Sequence, residues 1–147
     1  MPYGILHAEQ GAEVGFETTT ITADDIIHLY FSLESKYRNH AVWIMNDKMA
    51  MTLRLLKDSN GQYVWQDNTL LGKEVLISNF KPDTISGNKP IVFGDFSYYL
   101  LVYRTPLQIQ VLTEKFAAVD QTGYLGSEFL DGRLVRRKAA KALVIAE

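Results

Sequence analysis

Side chains that could act as nucleophiles or metal ligands are few and scattered in this sequence. A thiol nucleophile and a thiolate metal site are excluded, because the chain has no cysteine. A serine nucleophile often lies in a Gly-x-Ser-x-Gly turn, but the Gly-Ser at 126–127 is followed by Glu and Phe. Three histidines lack the i+4 partner of a helical metal pair: His7, His28 and His40. We therefore expect no catalytic residue, no metal and no cofactor.

Two other patterns could suggest acid–base or phosphate chemistry. Asp24 and Asp25 are adjacent, so on a helix their side chains diverge by about 100° and do not form one acid–base pair. Leu71-Gly72-Lys73 is similar to the end of a phosphate-binding loop, but Glu74 stands where Ser or Thr should bind magnesium. A hydrolase with an unrecognised carboxylate site is thus the weakest functional hypothesis.

The charge of the chain is unevenly distributed, because residues 133–141 form a basic segment. It has a formal charge of +5 and no acid, which leaves −7 for the rest of a chain whose net charge is −2. Such asymmetry can mark an anionic partner, whereas the simpler interpretation is a solvated face or ion pairs with nearby acids. The candidate residues for a subunit or DNA contact are Arg133, Arg136, Arg137, Lys138 and Lys141.

Length and composition are those of an ordinary globular chain. The 147 residues are 47% hydrophobic and 22% charged, which suits one domain with a real core. No apolar run approaches the ~18 residues of a membrane span, and the net charge argues against general nucleic-acid binding. We expect no membrane partner and no small-molecule substrate.

The first elements are predicted by capping residues. Residues 1–20 contain three glycines and indicate loop or extended chain. Thr22 can cap a helix, with Asp24 and Asp25 at its positive end, and the polar residues 35–39 end it. The stripe predicted to face the core consists of Ile26, Ile27, Tyr30 and Leu33.

A strand and a second helix follow. The apolar run 41–45 predicts a buried strand, and Asn46 is a good cap for the helix after it. The residues 58–61 end in Asn-Gly and predict a turn, after which 63–65 continue as extended chain. The core positions of this helix are Met49, Leu53 and Leu56.

The next segments predict short strands. Residues 72–77 and 91–93 indicate strands. Asp95 can cap a short helix through Leu100, while residues 98–103 could equally be strand. The element order predicts a mixed α+β fold.

The last third is predicted as extended chain. Pro106 is expected to break the chain, and a composition shift there suggests a boundary. Residues 107–111 alternate as in a half-buried strand, and residues 113–126 are irregular. For 133–145 we favour one long strand that leaves the compact body.

Three stretches resemble the major capsid proteins of tailed phages, which have the Hong Kong 97-like fold. The first runs from Ile21 to Ile27 and continues in the Trp-Ile-Met-Asn strand end at 43–46. The second, the most specific, is Leu-Leu-Lys-Asp-Ser-Asn-Gly-Gln-Tyr at 55–63, and the third is Gly-Asp-Phe at 94–96. The three stretches follow one another in the same order as in the family, and the resemblance extends over residues 2–145.

The resemblance implies a fold and a division into domains. It implies an extended lead-in at 1–20, an axial-domain-like body at 20–105, and peripheral-domain-like strands at 106–147 that return to the body. The family's N-terminal arm, extended loop and spine helix would lie upstream of Met1, so we expect a fold truncated at the N-terminus. No cross-linking residue is carried over.

The resemblance also implies a function. We expect a non-enzymatic structural subunit that self-assembles with its copies, in capsomers, into an icosahedral shell around a DNA genome. Scaffold, portal and packaged DNA are further candidate partners, and the expected location is the virion, after the bacterial cytoplasm. The alternative is a small non-enzymatic binding module that contacts nucleic acid through residues 133–141.

Overall fold

A six-stranded mixed sheet and a separate two-stranded ribbon contain the strands of this chain. The computed structural model describes residues 2–57, 60–63, 65, 69–83, 85 and 87–146. The strands are β1 (Glu13–Thr18), β2 (Val42–Met45), β3 (Thr69–Leu70), β4 (Lys73–Ile77), β5 (Ile91–Gly94), β6 (Tyr99–Leu112), β7 (Gly123–Leu134) and β8 (Ala140–Ile145). The helices are α1 (Ala23–Ser32), α2 (Ser35–Arg38) and α3 (Asp47–Arg54). Short 3₁₀ turns lie at Phe96–Tyr98, Ala117–Val119 and Arg137–Ala139.

The sheet brings the two ends of the described chain together. Its order is β1-β8-β5-β2-β4-β3, with β1–β8 and β2–β4 parallel and the other pairs antiparallel. The extended chain predicted for residues 1–20 therefore includes a paired strand. The prediction of one long strand over 133–145 that leaves the body is wrong, because β8 lies inside the sheet and all but two of its residues are buried.

Helix α1 begins where its capping residues predict. The Thr22 hydroxyl accepts from the Asp25 backbone N–H, and the Asp25 carboxylate accepts from the Thr22 N–H at 2.8 Å, which completes a capping box. The predicted stripe is wrong at one position, since Ile27 is 43% exposed while the buried face is completed by Leu29. Residues 35–39 do not simply end the helix, because Ser35–Arg38 form one further turn that buries Tyr37.

Trp43 and Phe93 occupy the centre of the core. These residues face each other on β2 and β5, and their rings stack at 4.1 Å between centroids. Both are fully buried, and the Trp43 indole N–H donates to the Leu70 carbonyl at 2.9 Å. Leu29 of α1, Met49 and Leu53 of α3, and Leu33 directly after α1 belong to the same core cluster.

The opposite face of the sheet has a second, smaller core. Val92, Ala140 and Ala142 are buried there beneath Ala12 and Leu134. Partly buried Ile5, Leu6, Phe96 and Tyr99 complete this layer. The segment before β1 is thus part of the packed body rather than a free end.

The predictions for residues 95–126 are corrected in several places. Asp95 caps the 3₁₀ turn by accepting from the Ser97 N–H at 3.0 Å, and strand β6 begins at Tyr99. The predicted short helix through Leu100 and the alternative strand at 98–103 are therefore each correct in part. Pro106 does not break the chain, because it lies inside β6 at a register irregularity between Thr105 and Gln108. The irregular segment is shorter than predicted, since β7 begins at Gly123.

Three residues of predicted elements lie outside the described residues. These are Asp58 and Ser59 of the predicted turn at 58–61 and Val64 of the predicted extended segment at 63–65. On either side of the predicted turn, Lys57 and Tyr63 form an isolated antiparallel bridge, and Gly61 has a positive φ of 80°. In the described part of the chain, no helix has both the length and the apolar character needed to cross a bilayer.

Asn46 connects helix α3 to the loop after β4. Its side-chain oxygen caps the helix by accepting from the Met49 N–H at 2.8 Å. Its amide donates to the Asp83 carboxylate at 2.8 Å and, at longer distance, to the carbonyls of Lys81 and Pro82. Asn46 is buried, so these bonds have little competition from water.

We predict that Asn46→Ala lowers the free energy of unfolding by about 2–3 kcal/mol, because it removes a helix cap and leaves two partly buried carbonyls and the Asp83 carboxylate without a donor. Asn46→Asp is the matched control, since it keeps the cap oxygen but loses the amide donors. Urea denaturation should give an intermediate loss for Asn46→Asp. A loss below about 0.5 kcal/mol for Asn46→Ala would contradict the assigned role.

Candidate interaction surfaces

The histidines lie at the surface, in ordinary structural roles. His7 Nδ1 accepts from the backbone N–H groups of Glu9 and Gln10 at 3.3 and 3.1 Å. The His28 ring stacks on Phe16 with centroids 5.0 Å apart, and His40 is exposed. Over the described ranges, no group of three or more His, Asp or Glu side chains is placed to hold a metal ion.

The other sequence patterns are explained by the fold. The Asp25 carboxylate is used at the start of α1, whereas Asp24 is exposed. Leu71 and Gly72 both have positive φ and form the tight turn between β3 and β4. Lys73 Nζ donates to the Asn39 carbonyl at 3.0 Å, so this segment does not form a phosphate-binding loop.

The basic segment divides into internal and exposed residues. Arg137 donates to the carbonyls of Gly11 at 3.0 Å and Ala8 at 3.1 Å, and so holds the segment before β1. Lys141 forms a 2.7 Å ion pair with Glu13 across the parallel β1–β8 pair. These two residues therefore stabilise the body.

The remaining basic residues, Arg133, Arg136 and Lys138, are exposed. Lys36 is the main cause of the low pKa of Glu34, through a hydrogen bond, and the charges of Lys138 and Lys141 contribute further. Acidic surface thus lies near part of this segment, as the simpler interpretation predicts. Arg133, Arg136 and Lys138 remain available as a contact surface, which we call the basic trio.

The β6–β7 ribbon has one mostly apolar face, which also carries Glu128 of β7. Residues directly opposite each other on paired strands point to the same side, as Leu101–Gly132, Tyr103–Leu130 and Val111–Tyr124 do here. Leu107 is on that side too, because its Cδ1 lies 3.8 Å from a Cβ built on Gly126, which is opposite Ile109. We call this the apolar ribbon face: Leu101, Tyr103, Leu107, Ile109, Val111, Tyr124 and Leu130.

The residues of this face are between 38% and 73% exposed. The opposite side of the ribbon is mixed, with Gln108 and Gln110 beside Leu125 and Ser127. The predicted half-burial of residues 107–111 is therefore wrong, although the predicted strand is confirmed. A two-stranded ribbon is marginally stable in water, and a contiguous apolar patch usually marks a protein contact.

Comparison with known families and structures gives a consistent set of similarities. The model of the phage capsid family matches residues 1–145. The capsids of an empty and a native GTA particle, both computed with C5 symmetry, are 26% identical to this chain with TM-scores of 0.81 and 0.84. Each match covers 99% of this chain, which spans only 57% and 56% of those longer chains.

A structure from Gordonia phage Cozz is 13% identical with a TM-score of 0.65, over 99% of this chain and 53% of that chain. At this identity it shows similarity of fold alone. No curated protein gives a significant match.

We predict that Arg137→Ala lowers the free energy of unfolding by about 1–3 kcal/mol, because two backbone carbonyls lose a charged donor. Hydrogen exchange should accelerate at the amides of Gly11 and Ala12, which bond within the same segment. Arg136→Ala is the matched control and should change stability by less than about 0.5 kcal/mol. Equal effects of the two substitutions would show that Arg137 has no special structural role.

Proposed function

Because this chain belongs to the phage capsid family, we propose that it is a structural subunit whose surfaces dock against copies of itself to form the shell of a phage or prophage particle. The mixed α+β capsid fold expected from the sequence is confirmed by the similarity to the GTA capsids. The protein works without catalysis, and its location is the virion, reached from the host cytoplasm.

The observation that carries this proposal is the apolar ribbon face. Its seven side chains are exposed, and hydrophobic contact is the main driving force of protein association. An enzyme would concentrate its function in a pocket, whereas a shell subunit distributes it over repeated complementary surfaces. The alternative of a nucleic-acid-binding module is weaker, because two of the five basic residues are used inside the body.

An arrangement of copies in a ring would define what kind of contacts the subunit needs. The similar GTA capsids were computed with C5 symmetry. In a fivefold ring, each copy presents one surface to the preceding copy and a different surface to the next, so the contacts are heterologous. We propose this arrangement for the present chain as well.

The domain division predicted from the sequence, with a body at 20–105 and peripheral strands at 106–147, remains a proposal, and we move its boundary to the start of β6 at Tyr99. We propose that the six-stranded sheet belongs to an axial-domain-like body and that the ribbon belongs to a peripheral-domain-like part. The predicted peripheral segment 106–147 contributes to both, because it includes β7 of the ribbon and β8 of the sheet. This matches a chain that returns to the body.

We propose that the basic trio contacts an anionic surface in the assembled shell, either a neighbouring subunit or packaged DNA. Its three cations are exposed and follow one another around the turn from β7 to β8. Scaffold and portal proteins are further proposed partners.

For the apolar ribbon face, we predict that Ile109→Lys with Val111→Lys reduces the yield of closed shells at least tenfold, because charged side chains would have to be buried at the contact. The control is Gln108→Lys with Gln110→Lys on the opposite side of the same strand, which adds the same charge. The polypeptide encoded by the whole gene is expressed alone and examined by sedimentation and electron microscopy. Shells at wild-type yield from the Ile109/Val111 variant would refute the proposal.

For the basic trio, we predict that Arg136→Glu with Lys138→Glu lowers particle yield, because it reverses charge at a contact between oppositely charged surfaces. Normal particles that retain less DNA would assign the trio to the genome instead of to a subunit. Normal particles with normal DNA content would show that the basic trio contacts neither.

A further inference from the structure

The second face of the sheet is only partly covered. Val92 of β5 lies in the small core on this face. Ile44 is paired with it on β2, Leu76 is paired with Ile44 on β4, and these two residues line an open groove. The groove has a volume of about 440 Å³. We call it the sheet groove, whose lining includes Ile5, Leu6, Ile44, Leu76, Phe80 and Lys81.

One cation lies in the wall of this apolar groove. The Lys81 Nζ is buried and has no hydrogen-bond partner in the part of the chain that the structure describes. Burial, with a smaller effect from the charge of Lys89, lowers the pKa of the Lys81 amine to about 8. At neutral pH the amine therefore still carries its charge, and an unpaired buried charge is strongly unfavourable.

The fold holds the backbone of this lysine in place. The Asn46 amide donates to the carbonyls of Lys81 and Pro82, and Asp83 next to them is fixed by Asn46 and by a 2.7 Å ion pair with Lys48. The backbone of Lys81 is thus attached to the start of α3. An anion supplied from outside is the direct way to neutralise the charge.

The rim of the groove is suited to contact with protein. Phe80 is 98% exposed and Leu76 is 42% exposed, and both line the groove. Together they would place an entering carboxylate in a setting that excludes water, where an ion pair with Lys81 is stronger than at an open surface.

We propose that the sheet groove receives an acidic side chain from a neighbouring copy of this chain, that the Lys81 side chain turns from its buried position into the groove to pair with the carboxylate, and that adjacent apolar atoms pack on Phe80 and Leu76. This inference rests on the proposed function. A second copy fits, because outside residues 133–141 the chain carries a formal charge of −7 and so offers many carboxylates. A heterologous ring contact also joins two different surfaces, as a groove and an acidic projection are.

The test compares charge variants of Lys81 in the polypeptide encoded by the whole gene. Lys81→Met keeps the length of the side chain and removes the charge, so unassembled subunits should unfold at the same or a higher temperature. Association should nevertheless weaken about tenfold or more, because the neighbour's carboxylate is left buried without a partner. Lys81→Glu should abolish assembly, and Lys81→Arg should restore it at least in part.

Two further variants keep the result interpretable. Lys36→Met removes an exposed lysine outside the groove and should assemble like wild type. Phe80→Ser alters a side chain that is almost completely exposed, so it should fold normally and assemble poorly. Sedimentation and electron microscopy measure assembly, and thermal unfolding checks each fold.

The outcomes separate this inference from the proposed function. Normal assembly of Lys81→Met and Phe80→Ser, with wild type assembling, would overturn the role of the groove and leave the shell function intact. Failure of wild type to assemble under any condition would overturn the shell function and the groove contact with it. Loss of assembly in Lys81→Met with retention in Lys81→Arg and Lys36→Met would establish that the charge is needed.

Discussion

The stacked pair Trp43 and Phe93 is the contact on which the rest of the body depends. The two rings join neighbouring strands, and Tyr30 of α1 stacks against Phe93 at 5.2 Å between centroids. The indole N–H of Trp43 also binds the Leu70 carbonyl, which connects β3 to the same centre. Aromatic residues of this size contribute a large share of core stability, and their polar atoms need a partner when they are buried. One cluster therefore fixes the positions of a helix and three strands.

The close approach of β5 to the end of the chain follows from this centre. A Cβ on Gly94 would lie 2.5 Å from the Ala139 carbonyl oxygen and the Ala140 Cα, so only glycine allows β8 to pair so tightly beside β5. The 3₁₀ turn before β8 then directs Arg137 towards the segment before β1, while Arg136 and Lys138 remain exposed. A basic cluster that is continuous in sequence is thus divided in space, because its residues are distributed over a strand end, a turn and a buried strand.

Features of the fold that depend on residues close together in the sequence could be predicted. Features that depend on residues far apart in the sequence could not. The caps at Thr22 and Asn46 were predictable because they act within three residues along the chain. The position of β8 was not, because its small side chains, such as Ala140 and Ala142, give little hydrophobic periodicity, and its burial depends on pairing with distant strands. The period-two pattern at 107–111 predicted the strand, but alternation alone does not say whether a face is covered. No sequence pattern predicted the sheet groove, because nothing in the sequence distinguishes Lys81 from a surface lysine.

The proposed function is supported by where the molecule places its exposed apolar side chains and its buried amine. The body buries Tyr37, Trp43 and Phe93 and caps helices α1 and α3, so its core is complete without a partner. The ribbon and the sheet groove differ from the body, because one exposes a row of apolar side chains and the other has a buried amine for which the described residues provide no hydrogen-bond partner. Both features can be relieved by contact with protein of the right chemistry. A subunit built in this way gains stability by association, and the gain is repeated at every position of a symmetric shell.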